Sequence, residues 1–153
     1  MRDKEFRPLV TKGFKDIAES ELHKEFVDGF SYKAKDNRNN LLIELGRFLN
    51  EFKTLNITAE VWIDGSFATE APDPSDVDMV FYFNTVEVDA LEADKKQYFE
   101  RLFRSRKLVK SLYNLDVFYG ERGSDANYNY WQRVFGTWYD NVTTKGIFRL
   151  IYQ

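Results

Sequence analysis

The sequence predicts an α/β fold, a small mixed β-sheet with helices mainly on one face. Three patterns lead to it. Leu41, Leu42, Leu45, Phe48, Leu49 and Phe52 recur at the spacing of one apolar helical stripe between Asn39 and Phe52. Ile57, Ala59, Val61 and Ile63 then alternate with polar neighbours or Trp62, the period of a strand with one buried face. A third run, Asp76-Val77-Asp78-Met79-Val80-Phe81-Tyr82-Phe83, is dense in β-formers.

Taken in order, Ile17 to Phe30 carries Leu22, Phe26 and Val27 at helix-like spacing and predicts a short amphipathic helix ending near Gly29. The 39–52 helix and the 57–63 strand follow, and Gly65-Ser66 ends that strand. A loop with Pro72 and Pro74 leads to the 76–83 strand. Leu91, Tyr98, Phe99, Leu102 and Phe103 predict a helix from about Asp89 to Arg104, and Leu112 to Tyr119 reads as a third strand. Beyond Gly120, Trp131 to Trp138 reads as a helix and Gly146 to Tyr152 as a last strand.

At 153 residues with 43% hydrophobic side chains, the chain suits one domain, 1–153, with a motif-bearing core at about 40–120. Its 14 Phe, 9 Tyr and 3 Trp exclude wholesale disorder and predict a ring-rich core. With 22 basic against 25 acidic residues and net charge −3, a global polyanion-binding surface is excluded, so nucleic acid must be met by a local patch. The absence of cysteine excludes disulfides, thiolate zinc sites and cysteine nucleophiles, and agrees with a reducing cytosol. No apolar run reaches the roughly 20 residues of a membrane span, and the Met1-Arg2-Asp3-Lys4-Glu5 start has no signal-peptide apolar region. The expectation is a soluble cytoplasmic protein without a membrane partner.

Chemistry concentrates in one stretch. Asp76 and Asp78 are two apart at the opening of a strand, so their carboxylates share a face. Like charges held together call for a cation, and Mg²⁺ takes one or two carboxylates plus water and phosphate oxygens. Asp116 supplies a third carboxylate within Asn114-Leu115-Asp116-Val117-Phe118, where Leu115 and Val117 face one side and Asn114, Asp116 and Phe118 the other. If the two strands are neighbours, all three acids converge, enough to bridge two metal ions roughly 3.5–4 Å apart. Gly65 would then let the backbone approach a triphosphate closely, with the Ser66 hydroxyl available to its terminal phosphates. The plainer alternative is a solvated acidic loop, Asp73-Pro74-Ser75-Asp76, with Asp78 at a strand edge.

Gly65-Ser66, Pro74-Ser75-Asp76-Val77-Asp78-Met79 and Leu115-Asp116-Val117 together resemble the polymerase-β nucleotidyltransferase superfamily, in particular the minimal prokaryotic nucleotidyltransferases associated with toxin–antitoxin pairs and antiphage defence. The resemblance covers about Trp62 to Tyr119. It implies a mixed sheet backed by helices, two Mg²⁺ (or Mn²⁺) on Asp76, Asp78 and Asp116, and transfer of a nucleoside monophosphate from an NTP to a hydroxyl on protein or RNA, including a tRNA end. Asp116 would help deprotonate that hydroxyl. A toxin or antitoxin protein is the partner it implies. Many minimal members follow Gly-Ser with an Arg that touches phosphate, whereas this chain has Phe67-Ala68-Thr69. The alternative function is a non-catalytic binding module of the same fold, acting on a partner through its aromatic C-terminal segment.

Arg101, Arg104, Arg106, Lys107 and Lys110 form the densest basic cluster, placed between the second helix and the third strand. It is either a solvated helix end or a phosphate-binding patch, with Lys107 and Lys110 the better-placed residues. Tyr128, Tyr130, Trp131, Phe135, Trp138 and Tyr139 are expected to serve mainly in packing, with Tyr128-Asn129-Tyr130 exposed. His23, the only histidine, is given no catalytic role.

Overall fold

The computed structural model describes residues 6–136 and 145–153. Its strands are β1 (Phe14–Asp16), β2 (Ala59–Asp64), β3 (Val77–Phe83), β4 (Leu115–Glu121) and β5 (Ile147–Tyr152). Its α-helices are α1 (Tyr32–Lys53), α2 (Thr85–Asp89), α3 (Ala93–Phe103), α4 (Arg106–Tyr113) and α5 (Asp125–Phe135). The strands form one mixed sheet in the order β1-β5-β2-β3-β4. The β1–β5 and β3–β4 pairs are parallel, and β5–β2 and β2–β3 antiparallel. An α/β fold with a mixed sheet is therefore what the chain adopts. Residues from both ends enter that sheet, β1 before the motif core and β5 after it.

The helical stripe on α1 explains the main core. Leu41, Leu45, Phe48, Leu49 and Phe52 are buried against Val61, Ile63, Met79 and Phe81 of the sheet. Phe48 and Phe52 meet the Phe81 ring edge-on at 5.7 and 5.3 Å, and Phe103 closes the cluster from α3. Phe48 has no exposed surface, so Phe48→Ala would cost about 3–5 kcal/mol by opening a cavity.

β2 departs from the expected half-buried strand, because all six of its residues are buried. The second face is covered by α5, where Trp62, Val80, Tyr82, Phe135 and Ile147 form a smaller cluster with Phe118, Tyr128 and Trp131 packed on it. Tyr128 stacks on Tyr82 at 4.4 Å and donates its hydroxyl to Glu60 Oε1 at 3.0 Å, while Trp62 Nε1 donates to Glu60 Oε2 at 2.8 Å. Tyr128 thus faces inward, contrary to its expected exposure, whereas Asn129 and Tyr130 are exposed. Trp131 and Phe135 serve in packing, as expected.

Other boundaries differ for local reasons. Residues 17–30 form a 3-10 turn (Glu19–Glu21) and a π-helical turn (Lys24–Asp28) ending at Gly29, in place of one regular helix. The helix expected from Asp89 to Arg104 is α3, which begins only after Glu92, and a separate short helix, α2, precedes it, started where the Asn84 side chain accepts from Val86 N–H. Leu112 belongs to α4, not to the third strand: Ser105 caps that helix by accepting from Leu108 N–H, and Asn114, at φ +56°, ends it. The helix expected at 131–138 starts earlier, at Asp125 behind the Ser124 cap, and is closed by Gly136. Trp138 and Tyr139 lie outside the described residues.

Candidate functional site

The parity of the strands places the acids. Trp62, Val80 and Phe118 stand in register across β2, β3 and β4, and all three pack under α5. Two residues further toward the same end of the sheet, Asp64, Asp78 and Asp116 form the next row in the same register. Asp76 lies just before β3. Carboxylate oxygens of Asp76, Asp78 and Asp116 all fall within 4.8 Å of one another, and each residue is partly buried. The structure therefore brings together the three acids that the sequence singled out.

Gly65 fits this arrangement on two counts. Its φ of +78° is a left-handed conformation that side chains disfavour, and a Cβ there would overlap the Asp78 carboxylate. Ser66 opens a 3-10 turn (Ser66–Ala68), and its carbonyl accepts from Thr69 N–H at 3.1 Å and Thr69 Oγ1 at 2.7 Å. Phe67, Ala68 and Thr69 are all buried, so the three residues after Gly-Ser point into the protein.

The cations come from α4 instead. Arg106 donates from Nε to Asp116 Oδ1 at 2.8 Å and from Nη2 to Oδ2 at 3.2 Å, a two-pronged pair. One helical turn on, Lys110 Nζ lies 3.1 Å from Asp76 Oδ2, and that carboxylate raises the lysine pKa. Lys107, expected at this site, is exposed and makes no ion pair among the described residues. Arg104 pairs with Glu100 at 2.7 Å on the α3 surface, and Arg101 lies over the Tyr98 ring. The basic cluster thus sits largely on a helix of its own and splits, with Arg106 and Lys110 at the acids.

Asp64 was not expected. It is 1% exposed, and its buried carboxyl is pushed up to about 8, mainly by loss of hydration, against the opposing pull of Lys145. Lys145 Nζ is 3.3 Å from Asp64 Oδ1, yet neither Asp64 oxygen accepts a well-aligned hydrogen bond. Its only sequence signal is its place, an acid closing an apolar strand immediately before Gly65. Arg106 had one too, the i, i+4 spacing to Lys110.

The donor set fits a hard divalent cation. Three carboxylates offer oxygen ligands only, within a span one or two ions can bridge, and no thiolate exists to favour a softer metal. Binding would have to compete with Arg106 for Asp116 and with Lys110 for Asp76.

A family model spans nearly all of this architecture, residues 4–151. The chain belongs to DUF6932, a family of unknown function. Membership covers β1 and β5 as well as the acidic row between them. No curated protein and no solved structure matches the chain. Among the described residues, no helix is long and apolar enough to cross a membrane.

Proposed function

We propose that this protein is a nucleotidyltransferase of the polymerase-β-like superfamily, moving a nucleoside monophosphate from an NTP to a hydroxyl of a protein or RNA. The observation that carries the reading is the convergence of Asp76, Asp78 and Asp116 beside the Gly65-Ser66 turn. In this reading Asp76, Asp78 and Asp116 hold Mg²⁺ or Mn²⁺, which supplies charge neutralisation on the phosphates and polarisation of the attacking and leaving oxygens. Gly65 keeps the turn low enough for the triphosphate to approach Asp78, and Ser66 offers its hydroxyl to the terminal phosphates. Arg106 and Lys110 exchange their carboxylate partners for phosphate oxygens, replacing the cation that Phe67-Ala68-Thr69 does not offer. Asp116 accepts the proton of the acceptor hydroxyl as its oxygen bonds to the α-phosphorus. The bond from that phosphorus to the bridging oxygen breaks, and pyrophosphate leaves. A toxin–antitoxin or antiphage setting in the cytoplasm completes the reading, on resemblance alone.

One observation favours a second reading. Arg106 and Lys110 already neutralise two of the acids, as a scaffold without catalysis would require. On that reading the same fold neutralises a partner protein by binding.

Titration of the purified protein with Mn²⁺, followed by water-proton relaxation, separates the two. The enzyme reading expects saturable binding, tightened by an NTP and weakened at least about tenfold in Asp78→Asn. Equal weak binding by both proteins would overturn it.

A further inference from the structure

We propose that Asn37 and Arg38, adjacent on α1, are positioning residues that fix the 67–74 connection and so set Ser66 and Asp76 relative to one another. The consequence for substrate rests on the nucleotidyl-transfer reading; the structural part does not.

Arg38 has no exposed surface and forms no ion pair among the described residues. Its guanidinium instead gathers backbone carbonyls. Nε and Nη2 donate to Ala71 O at 3.1 and 2.7 Å, Nη2 to Thr69 O at 2.6 Å, and Nη1 to Phe67 O at 2.9 Å and Phe26 O at 3.1 Å. The Phe30 ring lies 3.7 Å from its Cζ. Burial lowers the group to about 10, which leaves it cationic at neutral pH. A charge taken out of water is tolerated only when its hydrogen-bonding capacity is met, and the rigid five-donor fork of arginine meets it here.

The carbonyls of residues 67, 69 and 71 reach the guanidinium as the chain leaves the Ser66–Ala68 3-10 turn through Thr69, which is extended at φ −122° and ψ 178°. The intervening groups face the N-terminal segment: Leu9 N–H donates to Ala68 O at 2.9 Å and Glu70 N–H to Arg7 O at 2.8 Å. The connection is thereby held along both edges. Asn37 Nδ2 donates to Pro74 O at 2.8 Å, extending the hold to two residues before Asp76. One end of the clamped stretch directly follows Ser66, and the other leads into the acids. Lysine cannot replace Arg38, because its three donors radiate from a single atom.

The test uses Asn37→Ala, Arg38→Lys and, as a control elsewhere in the same core, Phe99→Ala. Amide hydrogen exchange is read over residues 66–76 against β2 and β3, and KM for NTP is measured beside kcat. Arg38→Lys should speed exchange of Ala68, Thr69, Glu70 and Ala71, whose amides are all hydrogen-bonded, about 10–100-fold relative to the strands, and Asn37→Ala should speed Ala71, the protected amide nearest Pro74, about fivefold. Both should raise KM more than they lower kcat, and Phe99→Ala should do neither at an equal loss of melting temperature. Unchanged exchange in both clamp variants, or an equal KM rise in the control, would overturn the proposal. If Arg38→Lys does not fold, Asn37→Ala and the wild type decide: slow wild-type exchange at 68–71, matching the strands, is expected, and exchange like an open loop overturns it. A wild type that transfers no nucleotide yet shows the exchange pattern would sink the functional reading alone; an active wild type without the pattern would sink the clamp alone.

Discussion

The guanidinium of Arg106 holds both carboxylate oxygens of Asp116, at 2.8 and 3.2 Å. The arginine is more than half exposed, so the pair adds no more than about 1 kcal/mol to stability. Its importance is competition, because a divalent cation at Asp116 meets a cation already there. Arg106→Ala should leave the melting temperature nearly unchanged, tighten Mn²⁺ binding and raise KM for NTP. Weaker Mn²⁺ binding in the variant would mean that Arg106 organises the acids instead of guarding them.

Gly65→Ala is expected to cost about 1–3 kcal/mol from backbone strain and, separately, to push the Asp78 carboxylate out of its row. Thermal unfolding and Mn²⁺ titration read the two effects apart. Gly29→Ala, with ordinary backbone angles and open space around it, should change neither.

Lys107 and Lys110 are neighbours in sequence with different surroundings. Lys110 sits on Asp76 and Lys107 on no acid among the described residues, so Lys110→Ala should raise KM for NTP about tenfold while Lys107→Ala stays within about twofold. Equal effects would place the phosphates further along α4.

Asp64 predicts a pH dependence of stability. Its folded value of about 8 lies above the unfolded value of 3.8, so the native state binds the extra proton and unfolding releases it. The contribution is complete below about pH 4 and falls as pH rises toward 8, by at most about 1.4 kcal/mol per pH unit. Denaturant unfolding without added metal should show wild-type stability declining across that window relative to Asp64→Asn. Parallel profiles would show that Lys145 keeps Asp64 ionised throughout.

Strand parity was legible because it is local: alternation alone put Asp116 and Phe118 on the face opposite Leu115 and Val117, and Asp76 beside Asp78. Register was not, since nothing in the sequence says that Asp64 pairs with Asp78, so the third member of the acidic row went unread. β1 was invisible for the same reason. It has three residues, and its partner strand carries Arg149, which pairs with Asp16 from the far end of the chain. The apolar residues of α4 run directly into β4, so Leu112 read as strand until the Ser105 and Asn114 caps set the boundary. Arg38 fell just outside the helix expected at 39–52, whereas α1 starts at Tyr32, and only the wrapped 67–71 backbone makes the arginine interior.

Nucleotidyl transfer is tested by following an α-phosphate label. Each NTP in turn, with Mg²⁺ or Mn²⁺, is incubated with wild type or Asp76→Asn/Asp78→Asn in a host lysate that is then separated into protein and RNA. Label is expected in one fraction with the wild type only, and that fraction names the acceptor class. No label in any fraction from folded wild-type protein would contradict nucleotidyl transfer and leave the binding scaffold as the reading of the acidic row.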